Sequence, residues 1–190
     1  MTRAVAIVVA GMAAAGVLVG CLWVLLAPPV HGAVALNKAG QRLHVYLGNE
    51  ADHFFVSAVM MVGMLIAVAV VGAVLVWQWR QRRGPATVVA LVLGGIASAA
   101  AATAVGAGLA RLRYGAVEVA TAPVSPQHRV HYVTEASTVF FGHAPLQALA
   151  TLLLPAAAAA LAYAIMAAAS AHDDLDVGDD YEPSVPETVG

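Results

Sequence analysis

Charge is scarce in this chain, and four long stretches contain none at all. Asp, Glu, Lys and Arg make up 11% of its 190 residues, under half of the ~25% usual in a soluble domain. A single cysteine, Cys21, excludes an intramolecular disulfide framework, a cysteine-based zinc cluster and dithiol redox chemistry. No Gly-rich phosphate loop follows a strand pattern, and no basic surface with interleaved aromatics points to nucleic acid. The long apolar runs hold no carboxylate, amine or imidazole, so the buried acid that proton-coupled transport requires is missing.

What is present is apolar: 61% of the residues are hydrophobic. The uncharged runs cover residues 4–27, 54–77, 86–110 and 146–171, each long enough to cross a bilayer as helix. A 24-residue helix is roughly 36 Å long against a ~30 Å hydrocarbon core, which leaves room for tilt. The expected fold is an all-α membrane protein, a four-transmembrane-helix bundle occupying residues 1–170. Four crossings put both termini on one side and the two long connections, 28–53 and 111–145, together on the other. Residues 171–190 carry seven acidic side chains and no Lys or Arg, a composition expected to form a disordered acidic tail. Elsewhere nine basic groups face four acidic ones.

Orientation follows from the basic residues near the span ends. Arg3 precedes the first run, and Arg80, Arg82 and Arg83 crowd the short link after the second. Both favour cytoplasmic termini in a bacterial inner (plasma) membrane, with the link against anionic headgroups; Arg111 and Arg113 weigh the other way. Trp23, Phe54, Phe55, Tyr114, Phe140 and Phe141 near the outer ends, with Trp77 and Trp79 near the inner ends, suit interfacial belts. Leu18-Val19-Gly20-Cys21 is similar to a lipoprotein processing box. The apolar residues that follow, 22–27, instead predict that the first span is retained.

Gly16 and Gly20 have the GxxxG spacing of close helix contacts. With the Ala- and Gly-rich third run they suit a tight bundle, or alternatively a homo-oligomer. Pro155 is expected to kink the fourth helix by clashing with the Thr151 carbonyl. Gln147 and Thr151 would then form a polar stripe with it, serving either as a ligand contact or as structural hydrogen bonding.

Both outer connections show strand patterns. Residues 33–36 and 43–47 flank Asn37-Lys38-Ala39-Gly40, which predicts one hairpin, and residues 116–120 and 129–134 predict a second. The two would form a small extracytoplasmic β-sheet over the bundle. Six histidines (His31, His44, His53, His128, His131, His143) lie in or beside these segments with Glu50, Asp52, Glu118 and Glu135. A zinc or copper site built from His53, His131, Glu50 and Asp52 is one reading, although no spacing is a specific metal motif. The other reading is that these groups bond loop backbone and cap helices, with Asp52 placed for α-helical capping. Ser125 or Ser137 could combine with His131 and Glu135, but no nucleophile elbow frames either serine.

Several phrases together carry a family resemblance: residues 26–31 (LAPPVH), 46–55 (YLGNEADHFF), 77–80 (WQWR), 83–85 (RGP), 113–115 (RYG) and 140–147 (FFGHAPLQ). The chain resembles an actinobacterial family of four-span membrane proteins classed as a domain of unknown function. The resemblance covers about residues 22–174 and implies an inner membrane under an elaborate envelope, with no reaction or cofactor. The leading expectation is a non-enzymatic envelope-associated binding or scaffold protein, with a protein or lipid partner besides the bilayer and no cofactor. Asn49, Glu50, Asp52, His53, Arg113, Tyr114, His131 and His143 are the candidate contacts. A metal-dependent protein using the same histidines and small-molecule transport through the bundle are the alternatives.

Overall fold

The computed structural model describes residues 2–80, 83–115, 119–142 and 144–170. Arg82, residues 116–118 with Glu118, His143 and the acidic tail lie outside the described residues. The chain runs α1 (Thr2–Leu26), β1 (Val30–Leu36), β2 (Arg42–Tyr46), α2 (Asp52–Trp77), α3 (Pro85–Tyr114), β3 (Val130–Glu135) and α4 (Pro145–Ala168). All four helices are long and apolar enough to cross a membrane. Proline begins α3 and α4, where its missing N–H costs no helical bond. The third helix runs past its uncharged stretch to include Arg111 and Arg113 in its last turn, where cations complement the helix dipole.

The helices close in the ring α1–α3–α4–α2, and α1 with α3 is the most intimate pair. A Cβ placed on Gly16 would lie 2.2 Å from the Ser98 carbonyl oxygen, and one on Gly20 would lie 2.6 Å from that of Ala102. The GxxxG stripe is therefore occupied within the chain, against the i+4 row Gly94, Ser98, Ala102 and Gly106 of α3. Gly95 makes the equivalent approach to α4, with its hypothetical Cβ 2.8 Å from Ala156 Cα. Large side chains point outward instead: Leu18, Leu25 and Leu161 are exposed, as they must be where lipid is the solvent.

Pro155 does not end α4, which continues to Ala168. Thr151 and Pro155 are fully buried, and Thr151 Oγ1 donates to the Gln147 carbonyl at 3.2 Å. Gln147 is exposed at the helix start, where its Oε1 accepts from the Ala144 N–H at 3.3 Å. The polar stripe thus divides: Gln147 acts as a cap, and the Thr151 hydroxyl is satisfied inside its own helix.

One hairpin forms as expected, and the sheet is completed differently from the two-hairpin expectation. Its order is β2-β1-β3, antiparallel throughout. Val30, Val34, Val45, Tyr132 and Val133 supply β-branched and aromatic side chains suited to strands. Asn37 Oδ1 accepts from the N–H groups of Ala39 and Gln41, both at 2.9 Å, and Gly40 takes φ +76°; together they close the turn. The third strand arrives from the second connection, while Val119–Thr121 form a turn. Because β1 pairs with β3, the two connections are joined at one end of the bundle. That end is the capped end, and the end holding Arg3 and the 78–84 link is the open end.

Trp23, near the end of α1, faces the interior of the bundle. It is 1% exposed and its indole N–H donates to the Ser57 carbonyl at 2.8 Å. Arg83 also turns inward, against the expectation that the link's basic residues meet headgroups. Its guanidinium lies 4.1 Å from the centroid of the Trp77 ring, and Nε donates to the Trp77 carbonyl at 3.1 Å.

Candidate functional site

The capped end gathers two groups of titratable side chains. The first is centred on Glu50, in the turn between β2 and α2. Glu50 Oε2 accepts from the His31 backbone N–H at 3.0 Å and lies 3.1 Å from His31 Nδ1 and 3.0 Å from His53 Nδ1. His53 Nδ1 also lies 3.0 Å from the Pro29 carbonyl. A carboxylate and a carbonyl are acceptors only, so these contacts require Nδ1–H on both imidazoles. One acid thereby ties the start of β1 to the first turn of α2.

The His31 backbone N–H holds the Glu50 carboxyl below its ordinary value near 4.5; desolvation opposes the shift, and the His31 and His53 side chains reinforce it. A depressed folded pKa contributes stability at pH above the unfolded value, and this is lost as pH falls through the folded one. Protection of residues 28–53 from hydrogen exchange is therefore expected to hold from neutrality down to about pH 4.5 and to decline below it. Glu50→Gln should flatten that acidic limb; an unchanged limb would assign it to another carboxylate.

The second group spans the sheet. Gly32 pairs with Tyr46 on one side and Val133 on the other, and Val34 pairs with His44 and His131. Alternation then puts Gly32, Val34, His44, Tyr46, His131 and Glu135 on one face. His44 Nε2 and Glu135 Oε1 come into contact over Gly32. The His44 and Tyr46 rings stack edge-on at 5.0 Å, and Tyr46 meets Phe54 of α2 at 5.3 Å. Burial, then the Glu135 charge, raise the Tyr46 pKa.

The middle strand has to be bare here. A Cβ on Gly32 would lie 2.9 Å from His44 Nε2 and 3.2 Å from the Val45 carbonyl. Gly32→Val is expected to part the pair and destabilise the cap by about 1–3 kcal/mol, the usual range for overpacking. Thermal melting in detergent would measure it, and a shift no larger than that of Gly40→Ala would argue against the packing account.

These groups divide the candidate residues of the sequence. Glu50 and His53 are together, with His31 as a further partner outside that candidate set. His131 lies on the His44–Glu135 face instead. Asp52 is exposed in the first turn of α2, whose N-cap is Ala51 without a side-chain cap bond. Among the described residues no group of three or more His, Cys, Asp or Glu is arranged to hold a metal ion. Asn49 is exposed beside Glu50. Arg113 is exposed, and its Nη1 donates to the Val24 carbonyl at 3.2 Å while the guanidinium is 5.3 Å from the Tyr114 ring. Ser137 Oγ donates to the Pro28 carbonyl and Ser125 Oγ accepts from the His128 N–H, so neither hydroxyl faces a histidine base.

The opposite face of the sheet carries four exposed apolar side chains around the buried Ala33, with His31 and Thr134 at one end. Leu43 and Val45 of β2 and Val130 and Tyr132 of β3 are 45–70% exposed, flanking Ala33 and Ala35 of β1.

Four bilayer-length helices and a sheet joining two connections at one end define a multi-pass membrane protein with a small β cap. The chain belongs to the family described as "Protein of unknown function (DUF2567)", which matches residues 12–177. It is 49% identical over 173 residues to "Uncharacterized protein ML1222" of Mycobacterium leprae (strain TN), covering 91% of this chain and 87% of that protein. It is likewise 49% identical over 166 residues to "Uncharacterized protein Rv1591" of Mycobacterium tuberculosis (strain ATCC 25618 / H37Rv), covering 87% and 86%. No solved structure matches it.

Proposed function

We propose that this protein is a non-enzymatic binding or assembly protein of the bacterial inner membrane, with cytoplasmic termini and an extracytoplasmic cap that receives a partner protein of the envelope. The observation that carries this reading is the exposed apolar sheet face of Leu43, Val45, Val130 and Tyr132. Isolated exposed apolar residues need no explanation, whereas a contiguous group on a held sheet marks an interaction site. An exposed Tyr on its edge strand suits a protein partner, since aromatic anchors dominate such contacts. Behind this face, Glu50 and the His44–Glu135 pair serve to hold the sheet in place. Of the candidate contacts, Asn49, Asp52, Arg113 and His131 are exposed and available to such a partner beside the apolar face.

A photo-crosslinking residue at position 132, activated in native membranes, tests the reading. The expected result is one discrete protein adduct, abolished when Val45→Asp is added. Adducts to lipid alone, or to a second copy of the chain, would overturn it, as would labelling of position 132 from the cytoplasmic side.

A further inference from the structure

We propose that the groove between α1 and α2 at the open end is a binding site for an anionic phospholipid, with one acyl chain between the helices and the phosphate on Arg3 and Arg80. The groove has a volume of about 500 Å³, within the ~300–1,000 Å³ of small-molecule sites. Ile7, Gly11 and Ala15 line it on α1, Gly72 and Leu75 on α2, and Trp79 in the link that follows α2. The space exists because side chains are small there: a Cβ on Gly11 would meet nothing within 4 Å.

Depth and charge select the occupant. The lining runs from residue 7 to 15 on α1 and from 67 to 76 on α2, with Trp79 just beyond it, roughly 12 to 14 Å at 1.5 Å per residue. That is the depth of one leaflet, half of the ~30 Å hydrocarbon core. Arg3 precedes Ile7, Gly11 and Ala15 on the same i+4 stripe, and Arg80 follows Trp79; both arginines are exposed. Among the described residues the carboxylates (Glu50, Asp52 and Glu135) are at the capped end and Arg3 and Arg80 are at this mouth; the acidic residues that follow α4 at this end lie outside the described residues. Trp79, 44% exposed, sits where an indole favours the headgroup zone. An apolar slot of one-leaflet depth with a cationic mouth fits a lipid with a negative headgroup.

The full chain in nanodiscs of equal phosphatidylglycerol and phosphatidylcholine, released for native mass spectrometry, provides the test. Wild type is expected to retain phosphatidylglycerol preferentially. Combined Arg3→Gln and Arg80→Gln should cut that preference about thirtyfold, at ~1 kcal/mol per basic residue and ~1.4 kcal/mol per tenfold. Gly11→Leu, which fills the slot without touching the helix contacts, should release the lipid while leaving the melting temperature unchanged. Equal retention of the two lipids by wild type, or an undiminished preference in either variant, would overturn the proposal; the arginine variant alters exposed positions and leaves the packed interior alone.

Discussion

Gly16→Leu is expected to separate α1 from α3 and to leave little folded bundle in detergent. The first carbon of the new side chain would sit 2.2 Å from the Ser98 carbonyl oxygen and 2.7 Å from its Cα. These are backbone atoms of a continuous helix, so no rotamer change relieves the clash. The helices have to move apart, and in lipid the van der Waals packing between them is their main attraction. Overpacking costs about 1–3 kcal/mol at ordinary sites and more where backbone is struck, so a loss of about 3 kcal/mol or more is expected. Denaturant titration in micelles would read it. Gly11→Leu is the internal control: it lies on the same helix with open space around it. Equal effects of the two substitutions would show that helix propensity, not interhelical packing, is responsible.

The four spans are legible in the sequence because exclusion of charge over two dozen residues requires no knowledge of neighbours. The first hairpin is legible too, since its turn chemistry is local: Asn37 bonds its own loop and Gly40 takes the positive φ. Pairing across the chain is not. A GxxxG stripe reads the same whether its partner is α3 or a second copy, and only register distinguishes them. The pattern of the third strand predicts a hairpin of its own, yet the strand adds to β1, because antiparallel alternation says nothing about which edge is taken. Long-range pairing likewise determines which side chains meet. Glu50 and His53 are near neighbours in sequence and meet in the fold, whereas His31 joins them only once β1 is placed. The His44–Glu135 pair depends on Gly32 lying between two strands, a condition no local spacing encodes. Trp23 looks like a surface residue by its position near a span end, yet it is buried with its indole on the Ser57 carbonyl, and the exposed Arg113 reaches the Val24 carbonyl of another helix.

Trp23→Ala is expected to be the most costly single truncation, and its effects should reach the cap. Trp23 packs with Val19, Met61, Leu65 and Val139, and its ring approaches Gly106 so closely that a Cβ there would lie 3.3 Å from Trp23 Cε3. It therefore joins α1, α2 and α3 to the segment that follows β3. Truncating a buried Trp costs about 3–5 kcal/mol through the packing it removes and the cavity it leaves, and the Ser57 carbonyl is also deprived of its indole donor. Trp23→Phe keeps much of the volume but not the N–H, so it should forfeit the hydrogen bond, about 1 kcal/mol, plus a smaller cavity cost than the alanine variant. Melting of the two variants separates packing from bonding. Hydrogen exchange should show the alanine variant exposing residues 130–140 ahead of global unfolding, because Val139 loses its support while the β1–β2 hairpin keeps its own turn. Unaltered exchange there would mean that the cap is held by the sheet and Glu50 alone, with the bundle acting only as its anchor.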